Sequence, residues 1–114
     1  MYAVIFEVFP KPDRRAEYLE IANALRTDLE TIDGFISIER FESFVDKDKL
    51  LSLSFWRDEA AIAEWRNLIN HQKAQAKARR EIFIDYHLRV CEVVRDYSMT
   101  ERDQAPQEPP EQRY

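Results

Sequence analysis

Two tryptophans near the middle of the chain are the side chains best placed to line a ligand pocket. Trp56 ends an apolar segment typical of a strand, and Trp65 follows on a predicted helix. Asp58 lies at the start of that helix, where its carboxylate can cap free backbone N–H groups. Two broad indole rings at one strand–helix junction can form a pocket or a plain hydrophobic core, and the pattern leaves both open.

Polar side chains that could do chemistry follow Trp65 along the chain. His71, Gln75, Ala78 and Ile82 lie on one face of the helical segment that begins at His71. Because alanine stands where a core helix usually carries leucine, a cavity can lie beneath this face. We predict that Trp65 and Gln75 bind a substrate there, and that His71 acts as the catalytic base. The alternative is that His71 is solvated at the start of the segment.

Glu7 interrupts an otherwise apolar first strand and is a further candidate for substrate binding. A carboxylate that points into the interior must be paired or have a raised pKa, and either state could serve proton abstraction. The favoured interpretation is that Glu7 reaches the sheet edge or pairs with an arginine such as Arg89. His87 lies on the same side of the last strand as Arg89.

Composition excludes several classes of function. The chain has 114 residues, enough for one domain, and its formal charge of −5 argues against a nucleic-acid partner. It has no apolar run long enough to cross a membrane, and its N-terminus lacks the features of a signal peptide. Cys91, the single cysteine, cannot form an intramolecular disulfide and reads as a small buried hydrophobe, so we expect a cytoplasmic protein. The spacing of the two histidines matches no metal site.

The order of predicted elements is strand, helix, strand, strand, helix, strand. This order predicts a ferredoxin-like α+β fold, with an antiparallel sheet that carries its helices on one face. One domain should span residues 1–97, and a polar, proline-containing tail or arm should span 98–114. The predicted strands are Tyr2–Phe9, Phe35–Phe44, Leu50–Trp56 and Asp85–Tyr97; the predicted helices are one capped by Asp13 and a second, Asp58 to Phe83, broken at Leu68–Asn70.

Both faces of this predicted sheet carry apolar side chains. In the first strand, Val4 and Phe6 point one way, whereas Ala3 and Ile5 point the other way. A single layer of helices can cover only one face, and soluble monomers avoid large exposed apolar patches. We therefore predict a homodimer in which the sheets of two copies pack together.

Several short motifs, in order, resemble the antibiotic biosynthesis monooxygenase superfamily, a branch of the dimeric α+β barrels. The resemblance covers about residues 2–97. It rests on Ile32-Asp33-Gly34-Phe35, Phe55-Trp56-Arg57-Asp58, Ala60 and Trp65 on the helix, His71-Gln72 with Ala74-Gln75, and Arg89-Val90 with Tyr97. It implies a dimer that oxygenates a small aromatic or polyketide-like molecule without metal or flavin, with Trp65 packing against the substrate.

Two alternatives accompany this resemblance. In the heme-degrading branch a helix tryptophan, matched here by Trp65, accompanies a heme-ligating histidine, whose position holds Gln75. That branch has an asparagine in the first strand, near Glu7. His71 lies one turn before Gln75 and could ligate heme only if the helix were shifted. We therefore expect no cofactor, with heme binding as the first alternative and a noncatalytic dimer that binds a small molecule as the second.

Overall fold

A computed structural model describes residues 1–71 and 80–107, with side chains described for 1–69 and 80–107. This part of the chain contains the following helices and strands: β1 (Tyr2–Pro10), α1 (Arg15–Glu30), β2 (Phe35–Glu42), β3 (Leu50–Trp56), α2 (Glu59–His71) and β4 (Phe83–Glu92), with a 3-10 turn at Pro12–Arg14 before α1. No helix in these described ranges is long and apolar enough to cross a membrane.

The four strands form one antiparallel sheet in the order β2-β3-β1-β4. The first strand therefore lies in the interior of the sheet, between the third and the last, as the ferredoxin-like topology requires. This confirms the predicted α+β fold. The sheet is open, so one chain does not close a barrel by itself.

Side chains alternate across this sheet and give it two faces. We call the side that packs against α1 and α2 the helix face, and the opposite side the open face. Strand register assigns the residues in the middle of the helix face to two adjacent rows, Arg40–Ser52–Phe6–Leu88 and Ile38–Ser54–Val4–Val90. The same register assigns the open-face residues to three rows, Phe41–Leu51–Glu7–His87, Glu39–Leu53–Ile5–Arg89 and Ser37–Phe55–Ala3–Cys91.

Two clusters of buried side chains attach the helices to the helix face. The first joins Val8, Tyr18, Ala22, Leu50 and Ile82. The second joins Leu29, Ile32, Trp56 and Ala61. Helix α1 supplies Tyr18 and Ala22 to the first cluster and Leu29 to the second, so the side of the helix that carries these residues faces the sheet.

The turns before the two helices differ in how they are capped. The Ala61 amide donates a hydrogen bond of 2.9 Å to Oδ1 of Asp58, so the predicted cap of α2 is confirmed. The predicted cap by Asp13 is wrong, because Asp13 lies inside the 3-10 turn and α1 begins without a side-chain cap. Gly34 has φ +96°, and a Cβ there would lie 2.9 Å from Cβ of Ala61, so only glycine fits this turn.

Several predicted boundaries differ from the structure. The predicted break at Leu68–Asn70 is wrong, because α2 runs through these residues to His71; the rest of the predicted segment up to residue 79 lies outside the described residues. The last strand begins at Phe83 and ends at Glu92, five residues before the predicted end at Tyr97. Residues 93–107 form turns and irregular chain, and 108–114 lie outside the described residues.

Candidate functional site

A cavity of about 250 Å³ lies between the helix face and the two helices. Its floor is formed by the two helix-face rows, and its walls include Leu25 and Leu29 of α1 and Ile62, Trp65 and Ile69 of α2. The wall residues recur at helical spacing, so the side of each helix that faces the sheet also lines the cavity. This volume lies just below the roughly 300–1,000 Å³ of pockets for drug-sized molecules, so the cavity suits a small organic ligand.

The floor of the cavity is apolar apart from one side. Ser52 and Ser54 on β3 are buried, and Arg40 on β2 lies opposite Ser52. Nε1 of Trp56 donates a 2.9 Å hydrogen bond to Oγ of Ser54, which satisfies the buried indole. The polar groups of the floor therefore lie along β2 and β3, whereas β1 and β4 contribute Val4, Phe6, Leu88 and Val90.

Among the described residues, two arginines line this cavity. Arg40 is half-buried, and its Nε is shielded from solvent without a hydrogen-bond partner. Arg66 is exposed and contributes from α2. The described lining includes no aspartate or glutamate. A ligand in the cavity would therefore meet apolar walls, the hydroxyl-bearing side chains of Ser52, Ser54 and Tyr18, and a net positive charge.

Trp65 lies in the cavity wall, as its predicted contact with substrate requires. His71 is the last residue of α2, two residues after the wall residue Ile69, and its side chain lies outside the described residues. Gln75 also lies outside them. Ile82, predicted on the same face as His71 and Gln75, is fully buried in the first core cluster.

The structure does not bring Glu7 to the cavity. Its neighbour Phe6 lines the cavity, so alternation places Glu7 on the open face. There its carboxylate accepts hydrogen bonds from Nζ of Lys49 and, at 2.5 Å, from Nη1 of Arg89. The hydrogen bond from Lys49, followed by that from Arg89, lowers the pKa of Glu7. The predicted pairing with Arg89 is confirmed, and substrate binding by Glu7 is not a property of this cavity.

Arg40 and Arg66 line the cavity but were not predicted from the sequence as site residues. A usable signal was present in β2, where Arg40 has the same parity as Ile38 and therefore points to the same side of the strand. In α2, Arg66 follows Trp65 directly and lies four residues after Ile62, on the side of the helix that faces the sheet. Both arginines resemble ordinary surface charges until the register of the sheet is known.

No three His, Cys, Asp or Glu side chains converge on a possible metal position within the described ranges. Cys91, predicted to be buried, is half-buried and free on the open face, opposite Ala3. It is more accessible than predicted because β4 forms an edge of the sheet and has a neighbouring strand on one side only.

The sequence also matches the model of a known protein family. The model of the antibiotic biosynthesis monooxygenase (ABM) family matches residues 1–77. The chain belongs to the antibiotic biosynthesis monooxygenase family. Jasmonate monooxygenase ABM from Pyricularia oryzae is 48% identical to this ABM protein over 93 residues, which are 82% of this chain and 43% of that relative. The chain therefore matches less than half the length of this curated relative.

Solved structures share the fold of this ABM protein. A protein from Mycobacterium tuberculosis superposes with a TM-score of 0.70 at 24% identity, over 85% of this chain and 98% of that one. A solved antibiotic biosynthesis monooxygenase superposes with a TM-score of 0.69 at 18% identity, over 83% of this chain and all of that one, 100%. At these identities the likeness shows the fold alone.

Heme binding, the first alternative, needs an axial ligand beside the cavity. Gln75, at the ligand position of the heme-degrading branch, and the side chain of His71 lie outside the described residues. Glu7, near the position of that branch's asparagine, lies on the open face and does not point toward a group in the cavity. Heme binding therefore stays a prediction.

Proposed function

We propose that this ABM protein is a monooxygenase that binds a small aromatic or polyketide-like substrate between its sheet and helices. The observation that carries the proposal is the open, mostly apolar cavity walled by Trp65 in a chain of this family. Apolar walls with a few placed polar groups are typical of sites for small organic molecules.

The proposed reaction needs no metal or flavin when the substrate carries an activated CH₂ group beside a phenol or ketone. A base removes one proton, the carbanion gives an electron to O₂, and the two radicals join to form a hydroperoxide. Loss of water then leaves a new carbonyl group, so the sum is R₂CH₂ + O₂ → R₂C=O + H₂O. All the electrons come from the substrate, and the low polarity of the cavity keeps the intermediates away from water.

His71 is the proposed base, and Gln75 is proposed to orient the substrate. Support for His71 is positional: α2 lines the cavity with Ile62, Trp65 and Ile69, and His71 is the residue at its end. A histidine is suited to this role because its unperturbed pKa lies close to neutral pH. Trp65 is proposed to stack on the ring of the substrate.

We also propose that the working unit is a homodimer that buries the open face. Within the described ranges no helix covers that face, where Ile5, Leu53 and Phe55 are half-buried and Phe41 is 40% exposed. Packing against a second copy would remove this apolar surface from water. The free thiol of Cys91 lies on the same face, which supports a reducing compartment such as the cytoplasm.

Oxygen consumption by the purified protein tests the proposed activity. Quinol-type phenols and anthrones are supplied with isotopically labelled O₂, and label in a new carbonyl group is the expected result. Jasmonate is assayed with and without an added reductant, because hydroxylation of an unactivated carbon consumes an external pair of electrons. A hemin titration of the same protein tests the heme alternative through the Soret band.

Variants of the proposed site residues make this assay specific. Trp65→Ala should raise KM, and His71→Ala should lower kcat by about 10²-fold or more. Glu20→Gln is the control, because Glu20 is exposed on α1, away from the open face. Equal turnover by the His71→Ala and Glu20→Gln proteins would remove His71 as the base. Absence of labelled product across the substrate panel would contradict the proposed activity.

A further inference from the structure

The two arginines of the cavity differ in their partners from the arginines that form ion pairs within the fold. Arg15, Arg57 and Arg89 each make an ion pair with a carboxylate at distances between 2.5 and 3.2 Å. Arg40 and Arg66 make no ion pair with any described residue. Paired arginines are neutralised within the fold, whereas these two leave positive charge directed at the cavity.

Arg40 carries most of this argument because of its surroundings. Its Nε has lost contact with water and has gained no acceptor. Its cross-strand neighbour is the buried Ser52, whose hydroxyl is too weak a partner to neutralise a guanidinium. The next residue in the same row is Phe6. A buried donor without an acceptor is uncommon in folded proteins and needs an explanation, and a missing ligand group supplies one.

We infer that the cavity accepts a small, mainly apolar ligand that carries a carboxylate, and that the guanidinium of Arg40 binds this carboxylate. The inference rests on the proposed substrate site and adds the charge of the substrate to it. A planar guanidinium matches a carboxylate with two parallel N–H donors, and apolar surroundings strengthen such a pair. Arg66, more exposed to solvent, adds long-range attraction that salt weakens.

A single carboxylate fits the cavity better than a more highly charged group. Only one of the two guanidinium groups is half-buried, and the remaining polar floor consists of Ser52 and Ser54. A phosphate dianion would bring more charge than one buried cation neutralises, and an uncompensated charge is costly among apolar side chains. One carboxylate leaves the rest of the ligand to pack against Trp65 and the aliphatic walls.

Calorimetric titration with a matched pair of probes tests this inference. Naphthaleneacetate and naphthaleneacetamide have nearly the same shape, but only the first carries a charge. The acid should bind about tenfold more tightly than the amide, or better, and Arg40→Met should abolish this preference. Arg40→Lys should restore part of it. Arg26→Met is the matched control, because Arg26 is exposed on α1 and pairs with Glu30.

Folding of the variants is checked separately by thermal unfolding without ligand. Arg40→Met should unfold at the same or a higher temperature than the parent chain, because it removes a buried donor that has no acceptor. Arg66→Met should reduce the preference for the acid less than Arg40→Met does. An equal affinity for acid and amide, or a preference lost in Arg66→Met but kept in Arg40→Met, would overturn the inference.

The binding test is independent of turnover. Charge-dependent binding without oxygenation of any substrate would remove the proposed activity and leave this inference intact. Oxygenation of neutral substrates, with no preference for acids, would have the opposite meaning.

Discussion

Charged side chains on the two faces of the sheet are in different states. On the open face, Glu7 is held between Lys49 and Arg89, and all three side chains find a partner of opposite charge. On the helix face, Arg40 is half-buried without an acceptor for its Nε. Each group has a neighbour on the adjacent strand, Arg89 beside Glu7 and Ser52 beside Arg40. Arg89 forms an ion pair with Glu7, whereas Ser52 brings no opposite charge to Arg40.

The ion pairs of Glu7 stabilise the fold, whereas the guanidinium of Arg40 is the group that we propose binds a ligand. A carboxylate between two cations is satisfied within the chain, and its depressed pKa reports that satisfaction. A guanidinium among apolar side chains without an acid is satisfied only from outside the chain. Consecutive residues of a strand lie on opposite faces of the sheet, so Phe6 lies on the helix face and Glu7 on the open face.

The largest expected effect contrasts two adjacent residues on opposite faces. Trp56 is 1% exposed and packs edge-on against Phe35. Trp56→Ala should lower the free energy of unfolding by about 3–5 kcal/mol. Phe55→Ala, on the open face, should cost about 1 kcal/mol in the isolated chain, because Phe55 is only half-buried. Chemical denaturation measures both. Equal losses would show that the open face is as important to the folded chain as the helix face.

A charge on the open face tests the proposed dimer. Leu53 lies between Ile5 and Glu39 in the middle open-face row. Leu53→Glu should halve the mass measured by light scattering at micromolar concentration, since it adds charge to an apolar contact surface. Glu20→Gln, on the exposed side of α1, is the control and should leave the mass unchanged. A parent chain that scatters as a single subunit would contradict the dimer.

The smallest expected effect concerns the pH dependence of stability. The pKa of Glu7 in the folded chain lies below its ordinary value of 4.5, so its ion pairs stabilise the fold above that pH. This contribution is lost as pH falls through the folded-state pKa. Glu7→Gln should therefore be less stable than the parent chain at neutral pH, and the difference should vanish in acid.

Thermal unfolding as a function of pH measures this difference. Glu20→Gln serves again as the control and should follow the parent curve at every pH, because Glu20 makes no ion pair with any described residue. A constant gap between the Glu7→Gln and parent curves down to strongly acidic pH would show that the ion pairs of Glu7 do not stabilise the fold.

The fold was predictable because its signals are local and repetitive. Strand β3 occurs at its predicted bounds, Leu50–Trp56, because a charged turn precedes the apolar segment and a capped helix follows it directly. The helix break predicted at Leu68–Asn70 was wrong because it was based on the local sequence pattern alone. In the structure Leu68 packs on the second core cluster and Ile69 lines the cavity, and these tertiary contacts stabilise the continuous helix. The predicted end of β4 at Tyr97 was wrong because apolar residues continue past Glu92, whereas pairing with β1 stops there.

The candidate site was only partly predictable. Trp65 was placed at a pocket or a core by its position on the helix after the apolar strand, and only the structure puts its side chain in the cavity wall. Arg40 was missed because the unusual property of its side chain is a buried Nε without a hydrogen-bond acceptor. That property becomes visible only when β2 is placed beside β3. Glu7 was counted as a candidate substrate-binding residue from its apolar surroundings in sequence, although the favoured interpretation was the pairing with Arg89 that the structure contains.

Mapping a bound carboxylate by NMR tests the central claim most directly. Backbone and indole N–H signals of the labelled protein are followed during titration with naphthaleneacetate. We predict that the largest shifts occur at Trp65, Arg40 and Ser52, and that Leu53 and Arg89 on the open face stay unchanged. Shifts centred on Leu53 and Arg89, with the signals of Trp65 and Arg40 constant, would contradict a ligand site between the sheet and the helices.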